Sequence, residues 1–188
     1  MQERSHQTGI AILVGGLICG VAATSSAMPS PVDAVFEGIS ERLALMKDVA
    51  AWKHAKGVAV EDRAREAVVL DKATARAAAL GIDAATARPF FRAQIEAAKD
   101  IQRCWIARWK AAVVAPPESA PDLQTEIRPR LLALDRALLG SIKVVLDMGF
   151  AFDERHAADF AEAADTECLS VAKRDAVYER LSRLRLIE

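Results

Sequence analysis

No stretch of this chain alternates apolar and polar residues over the length of a strand, whereas apolar residues recur at steps of three and four along most of it. That period commits the chain to amphipathic helices. Val35, Ile39, Leu43, Met46 and Val49 carry the stripe of a first helix over about 33–56, and Gly57 ends it. A second spans about 61–80, opening on Glu61 and Asp62, whose charges suit a helix N-terminus, and stopping at Gly81. Asp83 is an N-cap, and Pro89 ends a short first turn or kinks the helix there, so the long third pattern runs from Phe90 to about Val113. The Pro-rich run 115–121 (APPESAP) connects it to a helix over about 123–148, with Pro129 near its start. Helices over about 154–164 and 169–186 close the chain. The expectation is an all-α fold, a single domain of about six helices. The apolar content (52%) is dominated by Ala and Leu, with 5% aromatics, which suits helices better than strands.

Residues 1–27 read as a secretory signal peptide and not as part of the fold. Arg4 precedes an uncharged apolar run from Ile10 to Ala23, 14 residues against the roughly 20 of a membrane span. Ser25, Ser26 and Ala27 then supply small residues for cleavage. An uncleaved anchor is the alternative, and a lipoprotein cleavage at Cys19 is disfavoured by bulky Ile18. Residues 28–188 form the expected mature domain, exported to the periplasm or secreted, with no stable membrane insertion after cleavage. Its size suffices for a core without metals or disulfides.

Lys plus Arg total 25 against 26 Asp plus Glu, which argues against a nucleic-acid binder. No CxxC, HExxH, GxGxxG or GxxxxGK[ST] spacing occurs, so zinc and nucleotide chemistry have no support. His54 and His156 lack acidic or Ser partners at useful spacing. Cys104 and Cys168 are expected as small buried apolar residues, with a bridge between them possible after export.

Without such motifs, chemistry must come from positioned charges. Arg42 and Lys53 lie 11 residues apart, three turns, so they share one helix face at a separation of roughly 16 Å. Asp62, Arg65 and Glu66 form a polar patch at i, i+3 and i+4. Gln94, Ala98 and Gln102 make a stripe amid Phe90, Phe91, Ile95 and Ile101, and Arg128 follows the Pro-rich loop. Each has an ordinary reading beside the functional one: snorkelling cations, a surface pair or cap at Asp62–Arg65, and interhelical glutamines.

Taken in order, these segments resemble a known family. Residues 41–53 (ERLALMKDVAAWK), 60–70 (VEDRAREAVVL), 89–102 (PFFRAQIEAAKDIQ), Trp109, Pro121-Asp122-Leu123 and Ile127-Arg128 are similar to the exported AroQ-class chorismate mutases of the gamma subclass. The resemblance covers about 33–140 and is weak over the last 40 residues. It implies the AroQ-type all-α fold, conversion of chorismate to prephenate by an isomerase, no metal or other cofactor, a complete pocket in each chain, and a homodimer. By position it implies Arg42, Lys53, Arg65 and Arg128 as cationic substrate contacts, Asp62 and Glu66 as polar contacts opening the second helix, and Gln102 at a position held by Gln or Glu. Ala98 stands where some members have a hydroxyl. Some members staple their C-terminal helices with a disulfide, and only Cys168 lies in that region here.

The chemistry suits such residues. Chorismate carries two carboxylates and rearranges in one pericyclic step, so the task is to hold its enolpyruvyl arm over the ring. Guanidinium groups bind carboxylates through paired hydrogen bonds. Lys53 and Gln102 are the candidates to stabilise charge developing on the ether oxygen, and Glu66 to accept from the ring hydroxyl. The competing expectation is an exported helical dicarboxylate-binding sensor or assembly domain without turnover.

Overall fold

The computed structural model describes residues 30–188. The signal-peptide reading of 1–27, its cleavage site and Cys19 lie outside these residues.

The first predicted helix is α1 (Pro31–Ala44) followed by α2 (Met46–Lys56). Ser30 and Asp33 close a capping box at its start: the Ser30 N–H donates to Asp33 Oδ2 at 2.9 Å and the Asp33 N–H to Ser30 Oγ at 3.1 Å. Leu45 between the two helices keeps right-handed helical dihedrals and donates to Glu41, so they form one rod. Gly57 ends it at φ 64°, a conformation that a side chain would strain.

Asp62 caps α3 (Arg63–Ala79), and Asp83 caps α4 (Ala84–Lys110). Sequence reasoning misplaced the start of α4. The helix runs unbroken through Pro89, forgoing only the bond that its missing N–H would have made one turn back. A π turn, Leu123–Ile127, leads into α5 (Arg128–Asp147). Pro129 follows Arg128 without an N–H to complete an α register, and the Arg128 N–H reaches back five residues to Leu123 instead. A 3₁₀ turn, Glu154–His156, opens α6 (Ala157–Ala163), and α7 (Val171–Leu181) is the last helix. With α1 and α2 as one rod, six helical rods result, as the periodicity predicts.

Long α4 is the centre of the bundle, packing against α2, α3 and α7, while α1 lies along α5. Phe152 and Phe160 bury against Phe36 of α1, with ring centroids 6.3 and 5.3 Å away, and Tyr178 of α7 joins them.

Two expectations for the C-terminal region need correction. The helix predicted to 186 stops at Leu181, although Leu184 continues its spacing from Val177 and Leu181. The tail instead pairs with the α3–α4 turn: the Asp83 N–H donates to Arg185 O at 2.9 Å, and the Ile187 N–H to Gly81 O at 2.8 Å. Cys104 and Cys168 are not free apolar residues but a disulfide joining α4 to the loop before α7, with α carbons 5.5 Å apart.

Candidate active site

Four rods converge on a cavity of about 350 Å3. The α1–α2 rod supplies Arg42, Met46, Trp52 and Lys53, and the start of α3 supplies Asp62, Arg65 and Glu66. From α4 come Ile95, Ala98, Lys99 and Gln102, one face at i, i+3, i+4 and i+7. Gln124, Arg128 and Leu131 close it from the π turn and α5. All seven residues predicted for the site line this one cavity. An adjoining cavity of about 460 Å3 shares Arg42, Lys53, Arg65, Gln102 and Arg128 and extends to Asp135.

Five cations against two carboxylates line the first cavity, so it favours an anion. Arg65 and Arg128 line the same cavity near enough that Arg128, disfavoured first by burial and then by the charge of Arg65, holds its proton less tightly than usual. Among the described residues neither guanidinium has an ion pair, although Arg128 Nη1 donates to Gln124 Oε1. A negatively charged ligand between them relieves that repulsion.

Arg42 is held from behind. Its Nε donates to Gln94 Oε1 at 2.8 Å and its Nη1 pairs with Asp135 of α5. Asp135 is buried and Arg42 mostly so, with side-chain exposures of 11% and 12%. Three of the five guanidinium N–H donors stay uncommitted, so Arg42 is an oriented clamp and not a saturated ion pair. Lys53 donates to the Val60 carbonyl at 2.6 Å, tying α2 to the loop before α3. Burial lowers its pKa, Asp62 and Glu66 work to raise it, and Arg128 and Lys99 lower it further.

Asp62 takes both roles weighed for it. Its Oδ1 accepts the Arg65 N–H at 3.0 Å as an N-cap, and it lies on the cavity wall. Glu66 accepts the Asp62 N–H at 3.2 Å and Lys99 Nζ at 3.0 Å. Burial raises its pKa, but those hydrogen bonds and the charges of Lys99 and Lys53 outweigh it and hold the carboxyl below its ordinary value. Gln102 is buried, its Nε2 directed at Met46 Sδ at 3.5 Å and its Oε1 without a partner. A thioether is a weak acceptor, so this amide can still serve a better one. Ala98 leaves the wall without a hydroxyl.

Sequence reasoning missed Lys99 and Asp135. Lys99 follows Ala98 of the Gln94–Ala98–Gln102 stripe, and its place four residues after Ile95 and three before Gln102 marks the same face. Asp135 carries no local signal that distinguishes it from a solvated helix residue.

Comparison with known proteins identifies the family. The family model "Chorismate mutase type II" matches residues 33–103. The chain is 28% identical over 179 residues to the monofunctional chorismate mutase of Enterobacter agglomerans, covering 94% of this chain and 96% of that one. It is 30% identical over 150 residues to the secreted chorismate mutase of Yersinia pestis, covering 79% and 78%. The crystal structure of secreted chorismate mutase from Yersinia pestis superposes with a TM-score of 0.73 at 28% identity, over 81% of this chain and 97% of that one. The chorismate mutase of Burkholderia thailandensis gives 0.62 at 33% identity, over 79% and 97%. With sequence likeness spanning most of both chains and the same helical architecture beneath it, this chain belongs to the type II chorismate mutases.

Proposed function

We propose that the cavity binds chorismate and rearranges it to prephenate. The observation that carries this reading is the convergence of all seven predicted residues on one cavity, with Arg65 and Arg128 both lining it and neither in an ion pair among the described residues. Those two and Arg42 hold the two carboxylates, which fixes the enolpyruvyl arm over the ring. In the reaction the ether C–O bond breaks as the new C–C bond forms, and the electrons shift around one ring of atoms. No covalent intermediate arises. Negative charge grows on the ether oxygen, where the Lys53 ammonium and the Gln102 amide N–H stabilise it more than they do in the bound substrate. Glu66, ionised and fixed by Lys99 and the Asp62 N–H, accepts from the ring hydroxyl.

The same reading takes residues 1–27 as a cleaved signal and the mature domain as exported. Relatives named as secreted support this, as does the disulfide, a feature of oxidising compartments. It also takes the protein as a homodimer. Supply of all seven side chains by one chain supports a complete pocket per subunit.

The test is loss of chorismate's ultraviolet absorbance with purified residues 28–188. Saturable turnover without added cofactor is the expected result. Binding without absorbance loss refutes the enzyme and leaves a dicarboxylate sensor. Light scattering of the same sample tests the dimer.

A further inference from the structure

Lys99 is an unusual residue to find in the wall of a cation-rich cavity. Its side chain is 8% exposed, and a buried ammonium is costly unless paired. Pairing on its own helix is already provided: Glu96 Oε1 lies 2.6 Å from Nζ. Yet Nζ also crosses to α3 and donates to Glu66 Oε2 at 3.0 Å. The other oxygen of Glu66 accepts the Asp62 N–H. With each oxygen held by one donor, the carboxylate plane is fixed and each oxygen keeps a lone pair for a ligand.

We propose that Lys99 is a positioning residue for the reaction: it locks Glu66 in the orientation that accepts the substrate hydroxyl, and Glu96 anchors Lys99 from the far side. The inference rests on the function proposed above.

Other charged groups surround Glu66: Lys53 from α2, Asp62, Arg63 and Arg65 from α3 and its cap, Glu96, Arg88 and Arg92 from α4, with Arg128 beyond on α5. Among the described residues only Lys99 hydrogen-bonds the Glu66 carboxylate through a side chain. The Glu66 carboxyl is held below its ordinary pKa, against the effect of burial, first by that hydrogen bond. Removing the ammonium therefore lets Glu66 take up a proton at higher pH and frees it to rotate. Lys99→Arg keeps the charge and the donor.

The experiment compares pH profiles of kcat/KM for chorismate in wild type, Lys99→Met and Lys99→Arg, with each variant's fold checked by circular dichroism. Lys99→Met is expected to move the acid limb up by about one pH unit, the lower end for loss of an adjacent opposite charge. Its kcat/KM at neutral pH should fall about tenfold as Glu66 loosens, below the roughly 10²-fold that a 1 Å misplacement can cost. Lys99→Arg should restore both. If Lys99→Met does not fold, Lys99→Gln takes its place with the same expectations. A purely structural lysine would lower the melting temperature and leave the acid limb where it was; that result overturns the proposal. Wild type without turnover would refute the function itself, whereas an active wild type with an unmoved limb in the neutral variant refutes only the role of Lys99.

Discussion

The Cys104–Cys168 bridge closes a loop of 64 residues, long enough for its contribution to stability to be large. Cross-linking at that separation removes chain entropy from the unfolded state worth about 4 kcal/mol at 25 °C, the upper part of the range for natural bridges. For a domain of this size each kcal/mol moves the melting temperature about 2–4 °C, so Cys104→Ser with Cys168→Ser should melt about 8–16 °C lower. Neither cysteine lines the cavity, and the core of α4 around them is otherwise intact, so the double variant should fold and keep its activity at 25 °C. The assay is a circular-dichroism melt of the oxidised protein, the same protein in reductant, and the double variant. The two reduced forms should coincide. A fall of less than about 2 °C would refute the entropic reasoning at this loop length. Two titratable thiols in the native air-oxidised protein would refute the pairing itself.

Lys53→Ala should lose about 10²–10³ in kcat with a smaller change in KM, because it removes a donor aimed at charge that develops during reaction. Arg65→Ala and Arg128→Ala should instead raise KM strongly; steady-state kinetics separate the two patterns, and near-normal kcat in Lys53→Ala would refute its assignment to the ether oxygen. Gln102→Glu should shift the activity optimum toward acid, since a carboxyl donates only when protonated, and a pH profile unchanged from wild type would count against Gln102 as a donor. Asp135→Ala leaves the mostly buried Arg42 without its ion-pair partner and should cost about 3 kcal/mol in a denaturant melt, near the low end for a buried pair because Gln94 still holds Arg42 and both groups border the cavity.

The helical period made the rods legible, and with them the faces on which Arg42, Lys53, Glu66 and Gln102 meet. Arg42 and Gln102 sit among apolar neighbours at three- and four-residue steps, Lys53 shares the Arg42 face, and Glu66 shares a face with Asp62 in a polar patch that only the resemblance marked as a site. Asp135 and Lys99 stayed hidden because a charged residue on a helix normally faces water, and only a partner from another helix gives a reason to turn it inward. The tail past Leu181 was misread for the converse reason. Leu184 keeps the helical step, and the competing hydrogen bonds come from Gly81 and Asp83, about a hundred residues earlier. The pairing of Cys104 with Cys168 likewise depends on how α7 lies along α4, which no local pattern encodes.

The same layout sets how the molecule answers mechanical load. α7 runs antiparallel to α4, fastened at one end by the disulfide and at the other by the two backbone bonds between the tail and the α3–α4 turn. Pulling on the two chain ends first meets the weak clasp at Asp83 and Gly81, which opens like a zipper. The force then passes across the sulfur bridge and bypasses every residue enclosed between Cys104 and Cys168. Oxidised protein stretched to rupture should therefore come up about 220 Å short of its reduced form, at about 3.5 Å per enclosed residue. The hidden length contains all of α5, so the wall that carries Arg128 stays off the load path while the bridge is intact.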